Sequence, residues 1–402
     1  MWKRYWRNEK MVEVETLYHR VLECLDLSQE VNDEELANLI KSILQEEMQE
    51  SYIPLREKIR IGKELFNAFR KLNILQELIE DSEITEIMIN GTENIFIEKK
   101  GKIFLSDKRF LSKERLEDVA QQIVSETNRM VNEAMPIADA RLKDGSRVNI
   151  VLPPVALNGP IITIRKFSKE PITMKQLIAM ESITEEATAF LQQLTYAKYN
   201  IFVSGGTGSG KTTFLNALAE YIPTEERIIT IEDNAELQIR TIPNLVKLEA
   251  RSANIEGAGE ITIRRLIWSA LRMRPNRIIV GEVRGEEAVD MLQAMNTGHD
   301  GSMSTGHANS AEDMLSRLET MVLMGIDIPL PAIRRQIASA IDIIVHLGRT
   351  KDRSRKVLEI KEVLEYENGE IKLQSLFKFE EQGVLAKKDE MVYKEKLLAA
   401  GY

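Results

Sequence analysis

One segment limits the fold of this chain more than any other: the apolar run NIFVSG leads directly into the glycine-rich sequence GGTGSGKTT at 205–213. The segment satisfies the pattern G-x-x-x-x-G-K-[ST], with Gly205, Gly210, Lys211 and Thr212 in the fixed places. Glycines let backbone N–H groups converge on phosphate oxygens, and the N-terminus of the following helix adds a positive dipole. We therefore predict a strand, a phosphate-binding loop and a helix, in that order.

The side chains of this segment have tasks at a nucleoside triphosphate. We expect Lys211 to bridge the β- and γ-phosphates and the Thr212 hydroxyl to ligate Mg²⁺, so the predicted ligands are ATP and Mg²⁺. A chance glycine-rich turn is the alternative, and the strand before it and the helix after it weigh against that reading. The loop residues predicted to contact the nucleotide are Gly205, Gly206, Thr207, Gly208, Ser209, Gly210, Lys211, Thr212 and Thr213.

Helical and strand-like patterns alternate from residue 184 onward. Such alternation is typical of a parallel sheet with helices on both faces, so we predict an α/β fold with a RecA-like P-loop NTPase core at 184–402. The end of this region alternates at period two around Asn368-Gly369, which predicts an antiparallel C-terminal extension.

The first half of the chain has different residue patterns. Apolar stripes at helical spacing predict a helical N-terminal appendage over 1–73, and short β-like runs predict a smaller α+β N-terminal domain over 74–167. The segment 168–183 contains a proline and few apolar residues at its start, and we interpret it as a linker.

Two acidic segments follow apolar strands. IITIED ends in Glu232 and Asp233, and RPNRIIVGEVRG places Glu282 where an aspartate is more usual. At the carboxyl edge of a sheet such acids can hold Mg²⁺-bound waters or orient the attacking water, and Glu282 is our first choice for the general base. For IITIED a plain acidic turn is the alternative. The predicted metal-site residues are Thr212, Glu232 and Glu282.

Two histidines, His299 and His307, flank the strand-like run GSMST. We expect both to lie beside the nucleotide and to sense the γ-phosphate by hydrogen bonding. Metal ligation is the alternative, and it is disfavoured because no cysteine or further histidine completes a ligand shell.

Composition excludes several classes of protein. The formal net charge of −9 argues against a chain whose main work is coating nucleic acid, so we expect no direct nucleic-acid partner. The single cysteine, Cys24, leaves no intrachain disulfide, and no run approaches the ~18 apolar residues of a membrane-spanning helix. We expect a soluble, cytoplasmic protein.

The order of these motifs carries a resemblance. GGTGSGKTT, TIEDNAELQI, RPNRIIVGEVRG and TGHDGSMSTGHANS together resemble the ATPases of type II and type IV secretion systems. DMLQAMNTGHDGS and LSRLETMVLM are similar to the CpaF branch, the assembly motors of Tad-like pili. The resemblance covers roughly residues 75–365 and omits the helical start and the tail.

This resemblance implies a homo-hexameric ring ATPase. Such a motor is peripheral at the inner face of the cell membrane, docked to inner-membrane platform proteins, and assembles pili or moves secreted substrates. It also implies that the N-terminal domain supplies arginines to the phosphates. The matching positions here are Arg141 and Arg147, implied to be catalytic, and Arg165, implied to bind the nucleotide.

Other nucleotide-binding proteins share the phosphate loop. A P-loop kinase should carry an arginine-rich lid in place of the histidine segment, and a signalling GTPase should carry an N-K-x-D element, which does not follow the loop here. A non-catalytic ATP-binding scaffold stays open, because nucleotide binding alone does not require hydrolysis.

Overall fold

A computed structural model describes most of the chain, which divides into two compact units, 1–168 and 169–402. The described residues are 14–25, 31–50, 54–99, 101–110, 112–125, 130–167, 170–251, 253, 257–380 and 383–402.

The first unit begins with three helices, α1 (Val14–Cys24), α2 (Asp33–Glu50) and α3 (Leu55–Arg70). Their apolar stripes meet in a small core that includes Leu36, Ile40, Ile61 and Leu65. These residues recur at helical spacing in the sequence, so amphipathic periodicity explains the bundle. Residues 1–13 of the predicted appendage lie outside the described residues.

A six-stranded antiparallel sheet forms the rest of the first unit, in the order β3-β2-β1-β6-β5-β4. One of its faces packs against two helices around buried residues such as Ile87, Leu116 and Ile164. The elements are α4 (Leu75–Glu80), β1 (Ile84–Asn90), β2 (Asn94–Lys99), β3 (Lys102–Leu105), α5 (Lys113–Ser125), β4 (Ile137–Arg141), β5 (Arg147–Val151) and β6 (Ile161–Arg165).

The second unit alternates helices and strands and ends in a β-rich segment. Its elements are α6 (Met174–Ala179), α7 (Glu185–Tyr196), β7 (Ile201–Gly205), α8 (Lys211–Ala219), β8 (Ile228–Glu232), β9 (Leu245–Glu249), α9 (Ile263–Ala270), β10 (Arg277–Val280), α10 (Glu287–Asn296), β11 (Met303–Gly306), α11 (Ala311–Gly325), α12 (Leu330–Ala340), β12 (Ile343–Arg349), β13 (Arg355–Glu367), β14 (Glu370–Phe379), β15 (Leu385–Lys387) and α13 (Glu395–Ala399). In the described ranges, no helix is long and apolar enough to cross a membrane.

These strands form one nine-stranded sheet in the order β15-β14-β13-β12-β7-β11-β10-β8-β9. The six strands from β12 to β9 in this order pair in parallel, and the other three pair antiparallel. The β13–β14 hairpin turns at Asn368-Gly369, both with positive φ, which confirms the predicted turn. The strand β7 therefore lies inside the sheet, between β11 and β12.

Both faces of this sheet are covered. One face packs against α6, α7 and α8, and the other packs against the helices α9 to α12. Along β7, Ile201 and Val203 belong to the first core and Phe202 to the second, as the alternation of a strand requires. The predicted linker contains α6, which begins with a capping box formed by Thr173 and Gln176.

A buried ion pair joins three elements of this unit. The side chain of Arg277 is fully buried and forms a fork with Glu226, with Nε–Oε2 and Nη2–Oε1 distances of 2.6 and 3.0 Å. Its Nη1 donates to the carbonyl of Thr195 at the end of α7, 2.6 Å away. The guanidinium thus ties the start of β10 to the segment before β8 and to α7.

We predict that Arg277→Ala lowers the free energy of unfolding by about 3–5 kcal/mol, because the buried Glu226 carboxylate loses its guanidinium fork and keeps only the Lys198 ammonium, 3.7 Å away. Lys372→Ala in β14 is the control: it removes an exposed pair with Glu370 and should cost about 1 kcal/mol or less. Urea unfolding followed by circular dichroism measures both. Equal losses in the two variants would contradict the prediction.

Candidate functional site

The phosphate loop follows β7 at the carboxyl edge of the parallel strands. Gly210 precedes α8 with a φ of 96°, a left-handed conformation that glycine adopts without strain. The Lys211 side chain is buried, and its ammonium donates to the carbonyls of Gly205 and Gly206 at 3.1 and 3.2 Å. The lysine is therefore held over the loop by neutral acceptors.

Three of the predicted motifs meet at this edge. The Lys211 ammonium lies 3.2 Å from His307 Nδ1, although 96 positions separate the two residues. On its other side, His307 Nε2 lies 2.7 Å from Glu282 Oε1, too poorly aligned for a hydrogen bond. The structure thus brings Lys211, His307 and Glu282 into one row.

The row fixes the state of the imidazole. An ammonium can only donate, so His307 Nδ1 accepts, and the single ring proton lies on Nε2, facing Glu282. Burial lowers the pKa of His307, Glu282 acts in the opposite direction, and the positive charges of Lys211 and Arg284 lower it further. His307 is therefore a neutral donor near pH 7.

Arg284 is a site residue that the sequence reading missed. Its Nη2 donates to Glu282 Oε2 at 2.7 Å, so the carboxylate lies between a guanidinium and an imidazole. The signal was present in the sequence, because Arg284 is two positions after Glu282 and a loop residue there reaches the same edge.

A second arginine, Arg349 at the end of β12, also contacts the phosphate loop. Its Nε and Nη2 both donate to the carbonyl of Gly208, at 3.2 and 3.1 Å. Nothing in the local pattern around this residue predicted the contact. It depends on the pairing of β12 with β7, where Leu347 lies opposite Gly205.

Glu232, at the end of β8, is buried at 4% exposure. Its Oε2 accepts from the backbone N–H groups of Glu236 and Leu237, at 2.8 and 3.0 Å. Gly281 gives it room, since a Cβ there would lie 2.7 Å from Glu232 Cγ. Burial raises the pKa of Glu232 to about 7, against the opposing effect of the two N–H donors.

The acidic loop after Glu232 is fastened to the phosphate-loop helix. Asn216 of α8 accepts from the backbone N–H of Gln238 at 2.8 Å. Asp233 and Glu236 lie near enough to Arg284 for their charges to raise its pKa, after the larger effect of Glu282. The loop therefore presents its carboxylates to the edge that holds Glu282.

The prediction that both histidines flank the nucleotide is wrong for His299. β11 runs parallel to β7, with Met303 opposite Ile201 and Gly306 opposite Ser204. His307 follows the carboxyl end of β11, whereas His299 precedes its amino end, so the strand carries them to opposite edges. At its own edge, His299 Nδ1 faces the carbonyl of Ala294 at 3.3 Å.

The three arginines implied by the resemblance lie in the first unit, where they form a row. Arg141 of β4 is directly opposite Arg147 of β5, and Arg147 is directly opposite Arg165 of β6. Directly opposite residues of antiparallel strands point to the same face, so all three side chains share one face. Arg165 is also directly opposite Glu86 of β1, so a carboxylate lies at one end of the row. Guanidinium groups have the geometry to bind phosphate oxygens.

The residues that could hold Mg²⁺ are too few to bind it alone and would share it with the phosphates of the nucleotide. Thr212 lies in the first turn of α8, and Glu282 and Glu232 are on the neighbouring strand ends. Among the described residues no cluster of three His, Cys, Asp or Glu side chains could hold a metal alone. This set fits Mg²⁺, which usually combines one or two protein ligands with waters and substrate phosphates.

We predict that Glu232→Gln changes how stability depends on pH. Between the usual pKa of 4.5 and the folded value of about 7, the folded chain holds a proton that the unfolded chain releases. The free energy of unfolding therefore falls as pH rises through this window, by up to about 3 kcal/mol. Urea unfolding at pH 5 and pH 8 should show that the free energy of unfolding of E232Q, relative to that of the wild type, is higher at pH 8 than at pH 5. A constant difference would contradict this.

Known proteins are similar to this chain in sequence and in fold. The family described as "Type II/IV secretion system protein" matches residues 69–389. A Mycobacterium tuberculosis protein, named for conjugal transfer, is 36% identical over 293 residues, which cover 71% of this chain and 83% of that protein. The type IV secretion system protein VirB11 of Brucella suis is 32% identical over 304 residues, covering 69% of this chain and 84% of VirB11.

A solved structure of the pilus retraction motor PilT with bound ADP has the same fold. It aligns with a TM-score of 0.52 at 21% identity, over 79% of this chain and 83% of that chain. The fold is thus a RecA-like α/β core preceded by a smaller sheet domain and a helical region. Together with the site at the sheet edge, these matches place the chain in the type II/IV secretion system protein family, as a nucleotide-binding secretion ATPase.

Proposed function

We propose that this chain is a hexameric ring motor that hydrolyses ATP to power pilus assembly or protein secretion, in a Tad-like system of the CpaF type. The observation that carries the hydrolytic part is the row Lys211–His307–Glu282, with contacts of 3.2 and 2.7 Å, which joins three separate motifs at one edge. The names of VirB11 and PilT, a secretion protein and a pilus motor, support the kind of work done.

In the proposed reaction a water attacks the γ-phosphate in line with the departing ADP. Lys211 exchanges its carbonyl and imidazole partners for the β- and γ-phosphate oxygens, which are stronger acceptors because they are charged. Glu282 accepts the proton of the attacking water, and His307 stays neutral and donates a hydrogen bond from Nε2–H to a γ-phosphate oxygen. The Thr212 hydroxyl would help to hold Mg²⁺, which when bound would neutralise part of the charge of the phosphates.

Glu282 must be released before it can act as a base. In the structure Arg284 donates to one of its oxygens at 2.7 Å, so that oxygen is occupied by the guanidinium. Arg284 is largely exposed, so an incoming γ-phosphate can attract the guanidinium away from Glu282. We propose that this exchange couples phosphate binding to activation of the base.

The arginines that the resemblance assigns to the phosphates lie in the first unit. Its row of Arg141, Arg147 and Arg165 has the chemistry to stabilise the charge that spreads over the transferring phosphoryl group. We propose that the row closes on bound ATP and that hydrolysis releases it, so the nucleotide cycle drives a domain movement. Docking to inner-membrane platform proteins then transmits the movement, with the ring at the cytoplasmic face.

We predict that Glu282→Gln leaves ATP binding within about threefold of the wild type and lowers turnover by at least about a hundredfold, because the base is lost and the shape is kept. Fluorescent-nucleotide titration and phosphate release measure the two quantities. Lys211→Ala is the comparison, and it should lose binding as well. Unchanged turnover in E282Q would reject Glu282 as the base, and a wild type that binds ATP without turnover would favour a non-catalytic scaffold.

We expect turnover per chain to rise with protein concentration as rings assemble. Light scattering and ATP turnover, measured on the same samples, should increase together towards a hexamer. A fully active monomer would contradict the ring, without affecting the assignment of Glu282.

A further inference from the structure

His346 is a buried polar residue to which the proposed reaction gives no role. It lies on β12, is 5% exposed, and is directly opposite Ser204 of β7, the last residue before the phosphate loop. Its Nδ1 is 3.1 Å from Ser204 Oγ, a contact that is buried on both sides. The imidazole thus lies beside the residue that precedes the phosphate loop, between the apolar residues Val345 and Leu347 of its own strand.

The same imidazole faces the segment that carries His307. Burial lowers the pKa of His346, whereas the charges of Glu359 and Glu312 and a backbone hydrogen bond with Asn309, two residues after His307, act in the opposite direction. The ring is therefore a neutral donor and acceptor near pH 7. One side chain therefore contacts the strand before the phosphate loop and the loop after His307.

A neighbouring ion pair fastens the same segment from the other end. Lys361 of β13 lies 2.5 Å from Glu312 in the first turn of α11 and 3.1 Å from Glu359, which is opposite His346. The short stretch from His307 to α11 is thus anchored to β12 and β13 on both sides. The His346–Ser204 contact is buried, so a displacement there would leave a polar group without its partner, whereas the pair with Glu312 lies at the surface.

We propose that His346 is a positioning residue, which through Ser204 and the Asn309 carbonyl holds His307 and the phosphate loop in register with each other. The inference rests on the proposed function, since it assigns a role to the distance between Lys211 and His307. His346 acts by keeping the phosphate loop after β7 and the segment after β11 at a fixed separation.

The test compares His346→Phe with His346→Asn. Phenylalanine keeps the ring volume and removes both polar contacts, whereas the asparagine amide can occupy the place of Nδ1 and keep the contact with Ser204. We expect H346F to lower kcat about tenfold with KM for ATP within about twofold, because a small misplacement costs rate more than binding. H346N should recover kcat to within about threefold of the wild type.

Serine variants give a milder test that does not depend on packing a new ring. Ser204→Ala removes one partner of His346, and we expect an intermediate fall in kcat. Ser304→Ala on β11 is the matched control, since its hydroxyl is buried without a hydrogen-bond partner among the described residues. It should leave kcat unchanged.

Several results would overturn the inference: wild-type kcat in H346F, equal losses in H346F and H346N, or equal losses in S204A and S304A. A lower melting temperature in H346F with unchanged kcat would show a packing role only. If H346F fails to fold, S204A against S304A decides. Lys211→Ala tests the proposed function separately, because turnover that survives in K211A rejects the phosphate site itself.

Discussion

Parallel pairing of β12, β7, β11, β10 and β8 is the constraint on which the site depends. Parallel strands that share a register end at the same edge, so the segments that follow them are neighbours whatever their separation in sequence. The phosphate loop after β7, His307 after β11 and the acidic residues after β10 and β8 meet for this reason. The buried fork of Arg277 and Glu226 secures the opposite ends of two of these strands.

The charges at this edge of the sheet favour the binding of a phosphate group. Lys211 is buried and donates to the carbonyls of Gly205 and Gly206 and to a neutral imidazole, and such neutral acceptors bind an ammonium less strongly than a phosphate does. Glu232, with its pKa near 7, carries only part of a charge at neutral pH. It therefore adds little repulsion towards a polyanion, while it still holds the acidic loop through two N–H bonds. The carboxylate that remains exposed to the reaction is Glu282, and Arg284 neutralises it.

Much of the fold followed from local pattern. The strand, loop and helix around Lys211 and the Asn368-Gly369 hairpin follow from composition and turn chemistry, and the structure has both. The helix α6 was not predicted, although Thr173 and Gln176 spell its capping box. The error at His299 came from treating two histidines near one strand as one group. The four residues of β11 lie between the two histidines, and only the direction of this strand in the sheet decides which histidine lies at the edge of the phosphate loop.

The sequence by itself determined the chemistry: which side chains can cradle phosphate, accept a proton or donate to an oxyanion, and their order along the chain. Only the tertiary structure decided which of them meet. Arg284 at Glu282, Arg349 at Gly208 and His346 at Ser204 are contacts set by strand order and register. The arginine row of the first unit is likewise a consequence of cross-strand alignment. Strand partners are chosen by the burial of the whole sheet, and no local pattern of residues encodes that choice.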